Sequence, residues 1–151
     1  MYNTYYDVPC VVLRFHHVCG ARSNPELALS VFVEQALVGK TMEVHGVDGV
    51  SCSANYTHVD DAIRATLLAV DRYKGFDIYN IANKELTEVR YLAQQVAKRL
   101  ASRSPIKNVP LLPHETRMHQ SDVSKVEKEL GFVATIPVEK AISDYIVWRL
   151  K

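Results

Sequence analysis

The stretch "CVVLRFHHVCGAR", Cys10–Arg22, decides how this chain is read. With the two residues before it, its first half is a β-branched apolar run, "VPCVVLRF" over residues 8–15, bounded by Pro9. Apolar residues at both parities indicate a strand buried on both faces, the habit of a parallel sheet. Its second half sets His16, His17 and Cys19 at the end of that strand, where a metal or catalytic cluster is one reading. Neighbours on extended backbone point to opposite faces, so His16 and His17 do not easily share one metal ion, and a structural role is the alternative. Cys19 as a nucleophile needs a base and a thiolate-favouring environment; a buried small apolar residue is the competing reading.

Outward from that strand, helices and strands alternate. "SNPELALSVFVEQALVGK" opens with Asn24 as a cap and Pro25 at the first helical position, and ends at Gly39 and Lys40. "TMEVHG" reads as a brief strand and "GVDGVSCSAN" as a surface loop. Residues 59–72 form a helix with Val59, Ile63, Leu67 and Val70 on one apolar stripe, and with Asp60 and Asp61 at its positive end. "FDIYNIAN" is a second central-looking strand. Thr87 then caps a helix whose buried face carries Val89, Leu92, Ala93, Val96, Ala97 and Leu100. A short extended piece, "NVPLLP", precedes "SDVSKVEKELGF", a helix begun by Ser121 or Asp122 and stopped by Gly131. The last helix starts at Pro137 and buries Val138, Ala141, Ile142 and Tyr145. Strands separated by helices place the chain in the α/β class, with a few-stranded, mostly parallel sheet and about five helices.

At 151 residues the expectation is a single domain. With 18 basic against 17 acidic residues, and no basic run interleaved with aromatics, nucleic acid is not the expected partner. No apolar stretch reaches 18 residues, which argues against a membrane span, and "MYNTYYDVPC" lacks the features of a signal peptide. Cys10, Cys19 and Cys52 match no zinc or redox spacing, so reduced thiols in a cytoplasmic protein are the simplest account.

Several segments together resemble the extended short-chain dehydrogenase/reductases, the NAD-dependent epimerases and dehydratases of nucleotide sugars. "VVLRFHHVCGAR" is similar to the family's strand and Arg-Phe-x-Asn-Val-Tyr-Gly-Pro-Arg turn. "ALSVFVEQALVGKTMEVHG", "YTHVDDAIRATLLAV", "DIYNIAN", "SDVSKVEKELGF" and "YIVW" follow in the family's order and close to its spacing. The resemblance implies a partial Rossmann-like fold, the C-terminal half of such an enzyme with its small substrate domain, lacking the dinucleotide-binding half. That family's chemistry needs a glycine-rich turn for the cofactor pyrophosphate and a tyrosine four residues before a lysine. This chain has no Gly-x-Gly-x-x-Gly, and none of its eight tyrosines has a lysine at that spacing. By register, the pair belongs before the stretch that begins at Met1. The expectation is therefore no cofactor for this chain alone, although the family uses NAD, and no catalytic residue within it.

The departures fall where the resemblance places nucleotide contacts. His17 stands for a substrate-holding asparagine, and Cys19 and Ala21 for the tyrosine and proline of the turn. Ala54-Asn55 replaces an Arg-Asp whose arginine reaches a phosphate, Leu112 replaces another arginine, and His114 a glycine, while Arg117 keeps a basic position. Each lost guanidinium removes a charge-assisted contact worth about 1.5–3 kcal/mol. His17, Arg22 and Arg117 are the candidate substrate contacts, with a solvated surface arginine as the competing reading of the latter two. His58 with Asp60 and Asp61 resembles an acid/base pair, but the start of a helix makes the carboxylates capping residues.

Two functions follow. One is a substrate-binding module or a subunit of a split enzyme, with affinity for a nucleotide sugar. The other is a folded derivative without small-molecule activity, kept as an interaction or structural protein. An edge left open beside "CVVLRF" and "FDIYNIAN" further predicts a homodimer or larger, with residues 10–15 or 76–82 in the interface.

Overall fold

The computed structural model describes residues 2–72, 75–113 and 115–151; His114, one of the departures above, lies outside the described residues. In chain order the elements are α1 (Tyr2–Tyr6), β1 (Cys10–Phe15), β2 (Val18–Cys19), α2 (Ala28–Leu37), β3 (Met42–Val47), β4 (Val50–Ser51), β5 (Ser53–Asn55), β6 (Thr57–His58) and α3 (Val59–Arg72). Then come β7 (Phe76–Ile81), β8 (Leu86–Glu88), α4 (Val89–Arg99), β9 (Ile106–Pro110), β10 (Met118–His119), α5 (Ser124–Leu130) and α6 (Val138–Arg149). The α/β class holds, with α1 added to the five expected helices. The strands form four small sheets rather than one, ordered β1-β7, β10-β5-β8, β2-β6 and β4-β3-β9. Among the described residues β3–β4 and β5–β8 pair antiparallel and the other pairs are parallel.

β1 and β7 run parallel in register from Cys10 opposite Phe76 to Phe15 opposite Ile81. Val11, Leu13, Tyr79 and Ile81 point toward α3 and α5, where they pack with Ala65, Ala69, Val126, Leu130 and Phe132. The sequence expectation of burial on both faces is corrected here: Val12 is 43% exposed, because the helices cover only one face of the pair. The second cluster joins α2, α4 and α6 to β3, with Leu29, Val33, Met42, Val44, Leu92, Val96 and Ile142 fully enclosed. The predicted buried faces of α4 and α6 are the ones that pack there.

Five local readings are revised. α2 starts at Ala28, not Pro25, because Asn24 Oδ1 accepts the Glu26 amide at 2.9 Å and its carbonyl accepts the Leu27 amide at 3.1 Å, closing a turn first. The 46–55 segment is no surface loop. Asp48 and Gly49, at φ +48° and +80°, make a tight hairpin turn between β3 and β4, and Ser51, Cys52, Ala54 and Asn55 are buried. Gly46 is required there, since a Cβ would lie 2.2 Å from the Val50 carbonyl oxygen. Thr87 belongs to β8 and does not cap α4, whose first amide, from Val89, is accepted by the Cys52 carbonyl at 2.8 Å.

On α3 the large-residue stripe faces out: Ile63, Leu67 and Val70 are 52%, 64% and 76% exposed. The face that packs carries Ala62, Ala65 and Ala69, whose small side chains allow the helix close to the β1–β7 pair. Asp61 is not a helix cap either. Fully buried, its Oδ2 accepts the Thr135 and Ile136 amides at 3.0 and 2.9 Å while Oδ1 accepts from Arg64, clamping the entry to α6.

Candidate functional site

The turn after β1 is held by one hydroxyl residue. Thr57 of β6 donates its amide to the His17 carbonyl at 3.2 Å and its Oγ1 to the His16 carbonyl at 2.9 Å, and that Oγ1 in turn accepts the Asn83 amide at 3.2 Å. Pairing of β2 with β6 continues the stitch. Gly20, at φ +136°, lets the chain pass Val59, whose Cγ1 would lie 3.0 Å from an added Cβ. The result turns the His17 side chain, on a backbone at φ +35°, into a cleft.

That cleft has a volume of about 340 Å³. Leu27, Ala28, Val31 and Phe32 from the start of α2 form an apolar wall, His45 comes from β3, and Cys52, Ala54 and Tyr56 from the buried strand segment. Glu115, Thr116 and His119 close it from the segment that ends in β10. β5 assembles this wall, because it pairs parallel with β10, setting His119 beside Ala54, and antiparallel with β8. Asn55, fully buried, fixes the arrangement: its Oδ1 accepts the Ser121 amide at 2.8 Å and its Nδ2 donates to the Glu85 carbonyl at 3.2 Å.

Inside, the His17 ring lies 5.3 Å from Tyr56 and 5.7 Å, edge to face, from His119. Burial, then the neighbouring His119 and His16, holds the His17 imidazole below its ordinary pKa. His16 is lowered likewise, by burial first and His119 second. His45 Nδ1 meets Glu115 Oε2 at 2.6 Å, and that carboxylate also accepts the Leu112 amide at 2.8 Å. Burial pushes Tyr56 up and raises Cys52, with Glu115 adding to the latter.

Of the three candidate contacts, His17 lines the cleft. Arg117 is exposed beside it, its carbonyl accepting the Ser53 amide at 3.0 Å and its charge reaching Cys52. Arg22 is exposed, at φ +64°, and outside the lining. Ala54, where the resemblance places an arginine, is in the wall itself. His45, Glu115 and His119 escaped the sequence reading. Period-two alternation could have found the first, since buried Met42 and Val44 put Glu43 and His45 on the opposite face of β3.

The sharper readings of the other groups lose ground. Cys19 is 1% exposed, with Sγ donating to the Thr57 carbonyl at 3.5 Å, and burial pushes its thiol up to about 12. It packs and does not attack. His58 is enclosed, Nδ1 accepting the Asp60 amide at 3.1 Å and Nε2 facing Asp144 at 3.1 Å, so it ties α3 to α6. Among the described residues no three His, Cys, Asp or Glu side chains form a metal-binding group.

Comparison with known proteins places the chain. The profile of the NAD dependent epimerase/dehydratase family matches residues 1–82. The chain belongs to that family. UDP-glucuronate 4-epimerase 5 of Arabidopsis thaliana is 26% identical over 164 residues, covering 99% of this chain and 38% of that protein. A UDP-N-acetyl-alpha-D-glucosaminuronate decarboxylase of Bacillus cytotoxicus is 27% identical over 150 residues, covering 93% of this chain and 46% of the relative. The UDP-glucuronic acid 4-epimerase of Bacillus cereus, solved with UDP-glucuronic acid and NAD, superposes with a TM-score of 0.86 at 24% identity. That superposition, a likeness of fold, covers 99% of this chain and 48% of the other. The chain thus spans about half the length, or less, of the relatives it matches.

The turn after β7 does not fit the pyrophosphate of the family's NAD. The sequence has no Gly-x-Gly-x-x-Gly turn, and after β7 the Asn83 and Glu85 amides are taken by Thr57 Oγ1 and by Asn83 Oδ1, so neither is free to hold a pyrophosphate. Among the described residues no helix is long and apolar enough to cross a membrane.

Proposed function

We propose that this chain is the substrate-holding half of a nucleotide-sugar epimerase/dehydratase fold, a single domain that binds a nucleotide sugar and performs no hydride transfer by itself. The observation that carries this is the cleft at the convergence of the β1 turn, the start of α2, β3 and β5. One wall is apolar enough to take a base or sugar face, and polar groups gather opposite it. Relatives named for UDP-uronic acid chemistry suggest the ligand class. Within this chain no Tyr-x-x-x-Lys pair is available to move a proton, so turnover requires residues supplied from outside it. Three unpaired thiols fit a reducing, cytoplasmic setting.

The same reading includes self-association. Cys10 and His16 send their amides to the Gly75 and Ile81 carbonyls, so by alternation those of Val11, Leu13 and Phe15 face the other edge of β1, where no described strand pairs. A second copy adding to that edge gives a homodimer through residues 10–15.

Titration calorimetry with UDP-glucuronic acid and a thymidine diphosphate sugar at pH 6 tests the binding. Heat with a dissociation constant in the millimolar range or tighter supports it; no heat and no thermal shift at millimolar ligand removes it. A second reading, a folded chain with no small-molecule ligand, is favoured by one feature: among the described residues the cleft lining holds no lysine or arginine. The same titration separates the two.

A further inference from the structure

The charge inventory of the cleft is unusual for a pocket meant to hold a diphosphate. Among the described residues its lining carries three carboxylates, Glu26, Glu43 and Glu115, and three imidazoles, His17, His45 and His119, but no permanent cation. With the imidazoles neutral, the only charges are negative and a phosphoryl anion is repelled. His45 is already committed to Glu115 at 2.6 Å. Among the described residues the histidine–carboxylate ion pairs are those of His45 and His58, and none involves His17 or His119. His17 meets the Tyr56 ring, His119 and, through its charge, His16. His119 meets Thr116 Oγ1, 2.6 Å from its Nε2, and follows Arg117, whose charge reaches Cys52 on the same wall.

We propose that the cleft takes a phosphoryl anion between His17 and His119 and takes up protons as it does so, making it an anion site that strengthens in acid. With ring centroids 5.7 Å apart, burial first and then the neighbouring His119 and His16 hold the His17 imidazole below its ordinary value, so in the free protein His17 resists taking a proton. An anion bridging the two rings supplies the counter-charge that favours the protonated His17 imidazole. Thr116 Oγ1 steers the His119 ring, and the Thr57 stitch holds the backbone of His17. Glu26 and Glu43 are exposed and screened by solvent, whereas Glu115 is bound to His45 and the Leu112 amide. In the family resemblance the position of His17 is an asparagine and that of Ala54 an arginine, so this chain exchanges a permanent charge for a titratable one. The inference rests on the nucleotide-sugar reading for the identity of the ligand, but not for the anion.

The test uses inorganic pyrophosphate and UDP-glucuronic acid as separate probes, by calorimetry at pH 5.5 and pH 7.5 in buffers of differing ionisation enthalpy. Each proton taken up contributes up to about tenfold in affinity per pH unit, so pyrophosphate should bind the wild-type chain at least ~10-fold tighter at pH 5.5, with net proton uptake. His119→Gln changes an exposed side chain, and His17→Asn places at φ +35° a residue that tolerates that backbone. Each should weaken the pH effect by removing one proton site, and the double variant should bring it to within about threefold. Equal pyrophosphate affinity at the two pH values, no pyrophosphate binding at pH 5.5, or an unaltered pH effect in the double variant overturns the proposal. UDP-glucuronic acid binding equally at both pH values would overturn it while leaving the substrate-holding role intact. Histidine-dependent pyrophosphate binding without any nucleotide-sugar binding would support it and remove that role.

Discussion

Ala54→Arg places a permanent cation in the cleft and tests whether the lack of one limits anion binding. Ala54 sits in the middle of β5, flanked by Thr87 on β8 and His119 on β10, and it lines the cleft. A guanidinium from this position enters a space of about 340 Å³ whose other polar groups are imidazoles and carboxylates. A bidentate guanidinium–phosphate contact is worth about 1.5–3 kcal/mol, a factor of roughly 10–150 in affinity. Against this stand about 2 kcal/mol of arginine rotamer entropy, only part of it lost at a fork that is planar already, and the pull of Glu115 and Glu43. The net expectation is roughly tenfold tighter binding of uridine diphosphate at pH 7.5, and a smaller gain at pH 5.5, since a guanidinium stays charged throughout while the imidazoles do not. Calorimetry at both pH values measures it, with near-ultraviolet circular dichroism to establish that the variant keeps its packing. A folded variant whose affinity at pH 7.5 equals that of the wild type refutes the reasoning.

Two further expectations concern the frame around the site. Asp61→Ala strands two amides and Arg64 at a fully buried position, and should lower unfolding free energy by about 3–5 kcal/mol in urea titration; a loss below ~1 kcal/mol would return Asp61 to a surface role. Because His16 and His17 are held below the ordinary imidazole value, the unfolded chain binds more protons just below about pH 6.5, so stability is full above that and falls as pH drops. Asp144, held down chiefly by Lys140, and Glu139, held down chiefly by Tyr91, extend the loss to lower pH. Urea midpoints from pH 7.5 to 4 should decline throughout for the wild type, and His17→Asn should flatten only the upper part of that window. Identical profiles for the two proteins would contradict the assignment.

What the sequence made legible is what one period or one segment encodes. The α4 face of Leu92, Ala93 and Val96 repeats at helical spacing and is enclosed, and the β1–β7 pair is visible as two apolar runs. The α3 error shows the limit: Ile63, Leu67 and Val70 share one helical stripe and Ala62, Ala65 and Ala69 another, and hydrophobicity alone favours the larger residues. The choice was made by distance, because a helix lying close over two strands has room only for alanine. Polar composition likewise disguised 46–55 as a loop, although Asp48-Gly49 is the hairpin signal, and burial of Ser51 and Asn55 depends on partners 37 and 66 residues away.

The candidate site was the least legible part for the same reason. His17, His45 and His119 carry no common period and no motif; they meet because β5 pairs with β10 and β6 stitches the turn after β1. Sequence comparison marks Ala54 and His17 as two separate departures from a family pattern. Their meaning changes once they share a wall, since an alanine where the resemblance implies an arginine and an imidazole where it implies an asparagine, with a second imidazole 5.7 Å away, amount to one exchange of charge. A cleft that had merely decayed would have no reason to set His17 beside His119 while His45 engages Glu115. The pH dependence of pyrophosphate binding therefore distinguishes a site that was altered from one that was lost.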